Sequence, residues 1–139
     1  MALIITDARA LSMCNDLVDA FDSSGSAPTL VIYSGSVPAI DAAASGELVS
    51  LDLDSTAAFG AASMVVNDAV ATLTGTPSGT ITATGDASYF RMISDAGTVI
   101  LQGTVGTGGG FDLNVDTVTL QTGATFELTS LSIKVPTGA

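Results

Sequence analysis

The segments TITATGD (80–86), ASYFRMIS (87–94), TVILQGTV (98–105), FDLNVDTV (111–118) and ATFELTSLSIKV (124–135) follow one another with only turn residues between them. In most of them apolar and polar residues alternate, the pattern of a strand with one buried face. In ASYFRMIS, Phe90 and Met92 share a face, and Tyr89, Arg91 and Ile93 share the other. Asp95-Ala96-Gly97 has the form of a three-residue hairpin loop with glycine in the left-handed position, which pairs ASYFRMIS antiparallel with TVILQGTV. GTGGG (106–110) reads as a flexible tip. In FDLNVDTV, Phe111, Leu113 and Val115 oppose Asp112, Asn114 and Asp116. Gln121-Thr122-Gly123 reads as a turn. In the last segment Phe126 and Leu128 are in phase, whereas Leu131, Ile133 and Val135 have the opposite parity. That slip near Thr129-Ser130 predicts a β-bulge, or a strand that passes from one sheet to another. Pro136 ends it.

Upstream, residues 7–22 are the one good helix candidate. Leu11, Cys14, Leu17, Val18 and Phe21 recur at three- and four-residue spacing and form one apolar stripe. Thr6 or Asp7 can cap its start through a side-chain oxygen, and SSGSAP (23–28) should stop it. TLVIYS (29–34) is a continuous apolar run, expected to be central in a sheet. GSVPA follows as a turn, and DAAASGE fits either a helical turn or a loop. In LVSLDLD (48–54), Val49, Leu51 and Leu53 oppose Ser50, Asp52 and Asp54. STAAFGAAS reads as a loop or crossover. MVVNDAVATLT (64–74) is interrupted by the turn-prone pair Asn67-Asp68, giving a hairpin or two strand pieces. TGTPSG is a loop. The pattern predicts one all-β domain over 1–139. Its architecture is a β-sandwich (jelly-roll-like) of about seven to nine short antiparallel strands. The helix is expected across an edge or open end.

Composition limits the function. Apolar residues make up 47% of the 139, enough for a core, and only 12% are charged, against about 25% in typical soluble domains. The remaining surface is Thr, Ser, Gly and Ala, which suits a surface covered by neighbours, with an ordinary neutral β domain as the alternative. Fourteen acidic residues stand against three basic ones, Arg9, Arg91 and Lys134, for a net charge of −11. Such a chain opposes phosphate backbones and anionic membranes, so neither nucleic acid nor membrane is an expected partner. The single cysteine, Cys14, excludes an internal disulfide. The start, MALIITDARA, lacks the basic region and long apolar run of a secretory signal. No run approaches the ~20 apolar residues of a membrane span. Synthesis and folding in a cytoplasm are expected.

The candidates for chemistry each have a structural reading. Cys14 sits in the apolar stripe and reads as a buried thiol; a nucleophile would want a histidine, and the chain has none. GTVGTGGG (103–110) looks like a phosphate loop but leads into FDLNVD instead of a helix and has no lysine. DLNVD (112–116) opens like a calcium loop, but Thr117 replaces its glycine and Gly123 its bidentate glutamate. A solvated strand face is the simpler reading there and at Asp52 and Asp54, with room left for a weak cation shared between subunits. Arg91, in mid-strand, is expected to pair with a carboxylate rather than hold a ligand. With no Trp and only Tyr33 and Tyr89, a sugar-binding platform has little support, and no acid–base or nucleophile set assembles. The expectation is therefore no enzyme, no catalytic or metal residues and no cofactor.

The order TLVIYSGSVP, LVSLDLDSTAAFGAAS, VATLTGTP, TGDASYFRMISDAGTVILQGTVG and FDLNVDTVTLQTGATFELTSLSIKVP resembles small virion structural proteins of tailed bacteriophages. The resemblance covers most of the chain, N-terminal helix included. Its specific parts are the aromatic strand with Arg91, the Asp95-Ala96-Gly97 hairpin with the V-x-x-x-G-T-V after it, and the T-S-L-S-I-K-V-P ending. It implies a virion component, either a capsid decoration (cement) protein or a tail-associated tube, fibre or baseplate protein, and carries over no catalytic residue. Decoration suits a small acidic β domain best: its expected partner is the major capsid protein, with self-association as a dimer or trimer. Binding the assembled lattice would stabilise the shell by mass action. Packaged DNA would repel such a chain from the capsid interior.

Overall fold

The computed structural model describes residues 3–22 and 25–139. Helix α1 spans Asp7–Asp19. It starts where Thr6 turns extended (φ −72°, ψ 157°), with the Thr6 hydroxyl accepting from the Arg9 N–H at 3.2 Å. Ala10, Cys14 and Val18 are buried along its stripe, and Leu11 and Leu17 are partly buried against the core. The helix stops at Asp19 instead of 22. The Phe21 N–H turns back to the Val18 carbonyl, which drops the Phe21 ring into the core. Ser23 and Ser24, within the expected stop, lie outside the described residues.

Eleven strands follow among the described residues: β1 (Thr29–Ser34), β2 (Glu47–Asp52), β3 (Ser63–Val65), β4 (Asp68–Thr72), β5 (Ser78–Thr80), β6 (Gly85–Ile93), β7 (Val99–Gly106), β8 (Leu113–Asn114), β9 (Thr119–Leu120), β10 (Thr125–Glu127) and β11 (Ser132–Pro136). The fold is mostly β with one helix and several sheets, as the alternation predicts. The strand count exceeds the expected seven to nine because several segments are cut into short pieces. The largest sheet has the order β2-β1-β6-β7-β8, with β9 paired to the start of β6. The apolar run of β1 is indeed central, between β2 and β6. Its Leu30 and Ile32 join Phe90 and Met92 of β6 in the main core, while Val31, Tyr33 and Tyr89 form a second cluster on the opposite face. The β6–β7 hairpin turns through Gly97 at φ 87°, with the Ser94 N–H donating to the Thr98 carbonyl.

A three-stranded sheet, β11-β4-β3, carries α1 on its face, which corrects the expected edge or end position. Small Ala69 and Ala71 of β4, both fully buried, let the helix approach. The phase slip near Thr129-Ser130 is a change of sheet. β10 pairs with β5 in a two-stranded sheet, the chain crosses at 128–131, and β11 pairs with β4. Leu128 and Ile133 are consequently both buried despite their opposite parity.

Two expectations fail here. TITATGD is no separate strand: β5 ends at Thr80 and β6 begins at Gly85. FDLNVDTV yields only β8, and β8 runs parallel to β7, with Val105 opposite Leu113, instead of antiparallel. Parallel neighbours normally need a long crossover. Here Gly108, Gly109 and Gly110 all take left-handed dihedrals (φ 80°, 90° and 83°) and curl the chain through a tight ring that L residues would resist.

β5 crosses β2 so closely that a Cβ on Gly79 would lie 2.6 Å from the Ser50 carbonyl oxygen and 2.9 Å from Leu51 Cδ2. Backbone cannot yield as a flexible side chain does. Gly79→Ala should therefore cost about 1–3 kcal/mol by overpacking, read as a lowered urea midpoint; an unchanged midpoint would mean β5 can lift off β2.

Candidate functional site

The polar side chains on the outer face of the large sheet converge on one loop, residues 35–46. The Ser88 hydroxyl donates to the Gly35 carbonyl at 2.6 Å, and Gln102 Nε2 to the Pro38 carbonyl at 2.7 Å. Arg91 Nη2 donates to the carbonyls of Ala39 at 3.2 Å and Ala42 at 2.7 Å, and its Nε donates to Gln102 Oε1 at 2.8 Å. The Tyr89 hydroxyl donates to the Ser45 carbonyl and accepts from the Ser45 N–H. Beneath the loop, the Tyr33 and Tyr89 rings stack at 4.9 Å. Burial and the Glu47 carboxylate push the Tyr33 phenol above its ordinary pKa, against the opposing Arg91 charge. Arg91 is 4% exposed, and its partners here are neutral oxygens rather than the expected carboxylate. Sequence reading missed this strap, which GSVPA and the ambiguous DAAASGE make up. It has no internal periodicity, and its anchors lie about fifty positions downstream on β6 and β7.

The other candidates are likewise engaged in holding backbone. Asp112 Oδ2 accepts from the Thr104 N–H at 2.9 Å and the Thr104 hydroxyl at 3.1 Å, which locks the glycine ring between β7 and β8. Asn114 donates to the Phe111 carbonyl. DLNVD thus does not converge, and no group of three or more His, Cys, Asp or Glu among the described residues is placed to hold a metal ion. Asp54 accepts from the N–H groups of Thr56 and Ala57 at 2.8 and 3.0 Å, and those bonds lower its pKa. Asp52 is exposed at the end of β2. Cys14 is fully buried, as expected, with its thiol 3.8 Å from the Ile133 carbonyl, and burial raises its pKa. No helix among the described residues is long and apolar enough to cross a membrane.

Asp22 accepts from the Ala58 N–H at 3.2 Å. Burial raises its pKa against that bond, and the charges of Asp95, Asp54 and Asp19 raise it further. A raised carboxyl pKa in the folded state means that ionised Asp22 opposes folding. The opposition is full above the folded pKa and vanishes below the unfolded one. Asp22→Asn, which keeps the acceptor, should raise stability at neutral pH, and the gain should shrink to nothing as pH falls below the ordinary carboxylate range. Denaturation of both proteins across pH checks this; a gain that persists in acid would exclude the charge as its cause.

One end of the molecule is apolar and exposed. The segments at residues 3–5, 137–139 and the β3–β4 turn lie side by side: the Ile5 N–H donates to the Thr137 carbonyl, the Thr137 N–H to the Asn67 carbonyl and Asn67 Nδ2 to the Ala139 carbonyl. Here Leu3 is 93% exposed, Ile4 67%, Val65 53% and Val66 86%. The turn itself is Val66-Asn67, one residue before the expected Asn67-Asp68 pair, because Val65 pairs with Asp68. That places a β-branched residue at φ 57°, where L side chains lose about 1–2 kcal/mol. Val66→Asn, better suited to that region, should stabilise the fold by about 1 kcal/mol, seen as a higher melting temperature. A lower one would mean that the exposed valine contributes packing.

Comparisons with family models, with curated proteins and with solved structures each found no match to this chain.

Proposed function

We propose that the chain is a structural subunit of a tailed-bacteriophage virion, and specifically a capsid decoration protein that binds the outer lattice of the major capsid protein. One observation carries a structural role. Polar side chains weighed for chemistry, Arg91, Tyr89 and Asp112, instead fasten loops onto sheets. What results is a rigid acidic scaffold with an aliphatic end. The resemblance of the strand patterns to small virion proteins suggests the particle, and the charge of −11 favours a protein partner over DNA or membrane. Within this reading the sheets are a jelly-roll-like sandwich, the large sheet forming one layer and the β10-β5 and β11-β4-β3 sheets the other. Docking to an assembled lattice requires no catalytic group or cofactor.

Mass spectrometry of purified particles tests the role by copy number. Copies comparable to the major capsid protein support decoration. A handful per particle moves the chain to the tail, and absence from the particle overturns the reading.

A further inference from the structure

We infer that the aliphatic end docks head to tail into a cleft between β9 and β10 of a second copy of this chain. This inference is independent of the particle reading, since it concerns only surfaces of this chain.

The cleft arises from a splayed hairpin. β9 and β10 are joined by a tight turn, with the Ala124 N–H donating to the Gln121 carbonyl. They do not pair with each other: β9 pairs with β6 and β10 with β5. The gap between them has a volume of about 440 Å³, with Ile81, Leu120, Phe126 and Leu128 among its apolar lining and Asp116 and Glu127 among its polar lining. The ladder to β5 is flanked by bonds at the Ala124 carbonyl and the Leu128 N–H. Alternation therefore turns the backbone groups of Thr125 and Glu127 to the opposite edge of β10. An apolar floor beside an open strand edge suits an extended aliphatic segment.

The chain itself presents one. Among the described residues, Leu3 and Ile4 are the most exposed large apolar ones besides Val66, and the Ile5 N–H already bonds to Thr137, so alternation leaves the backbone of Ile4 facing away. Arg91 is buried, whereas Arg9, four residues beyond Ile5 and past the likewise exposed Asp7, is exposed and can meet Asp116 and Glu127 of the next copy. Val66 agrees, because a strained valine that folding does not bury is explained by a contact outside the chain. Two different surfaces make the contact heterologous, which generates a ring if it closes and a filament if it does not.

Light scattering after size exclusion, over a concentration series, tests this. Wild type should show masses above one chain. Ile4→Asp, blocking the end, and Asp116→Arg with Glu127→Arg, blocking the cleft, should each be monomeric with wild-type circular dichroism. Mixed together, they should form a two-chain complex that grows no further, because only one competent contact remains. Adding Arg9→Glu to the cleft variant should restore assembly. A monomeric wild type, assembly undiminished in either variant, or a mixture that stays monomeric would overturn the inference.

Discussion

Replacing Arg91 by methionine should destabilise the protein by about 3 kcal/mol and free the loop at 35–46. The guanidinium reaches two loop carbonyls, Ala39 and Ala42, and the Gln102 side chain together. Methionine fills much of the volume but donates nothing. Three acceptors would then lose a charged donor, at about 1–3 kcal/mol for each one left buried. The loop can lift into water and recover part of that, which holds the total near the lower end of the sum. Arg91→Lys should recover only a fraction, because a single ammonium cannot satisfy the forked set. Urea denaturation gives the stability change, and limited proteolysis locates it. Cleavage within 35–46 should accelerate well before global unfolding. If the midpoint falls without local cleavage, the loss belongs to the sheet, and if neither changes, Gln102, Tyr89 and Ser88 suffice to hold the loop.

The same residues show what a sequence can disclose. The alternation in ASYFRMIS placed Phe90 and Met92 on one face and Tyr89, Arg91 and Ile93 on the other, and β6 has that division, since period two is a property of the local backbone. The limits of β1 and the left-handed Gly97 were legible for the same reason. So was the change of sheet after β10, because a parity slip must move side chains to another surface. What escaped were relations between distant backbones. Nothing in GSVPAIDAAASGE states that side chains on β6 and β7 will fasten its carbonyls. Three glycines permit a ring between β7 and β8 but do not specify its direction, so β8 came out parallel. The aliphatic end escaped because residues 3–5, 66–67 and 137–139 are brought together only by the fold. The phage resemblance and the jelly-roll reading rest on patterns of this local kind, and the copy-number experiment bears on the first of them from outside the sequence.

Phe21→Ala should be the most damaging single truncation in the helical layer, at about 3–5 kcal/mol. Phe21 is fully buried just past the end of α1, with its ring centroid 5.7 Å from that of Phe59 at a tilt of 39°. Its carbonyl also accepts from the Asp95 N–H at the β6–β7 turn. The residue therefore joins α1, the 55–62 segment and the large sheet at one point. Alanine keeps the backbone bond but opens a cavity between the helix and Phe59, and the aromatic pair is lost. The helix should loosen from the β11-β4-β3 sheet as a result, and Cys14 reports on that directly. In the wild type the thiol is fully buried with its pKa raised by that burial, so little thiolate is available to an alkylating reagent. In Phe21→Ala the native protein should be modified much faster, in step with the fall in stability. A variant that loses stability while Cys14 stays unreactive would place the damage at the β6–β7 turn and leave the helix docked.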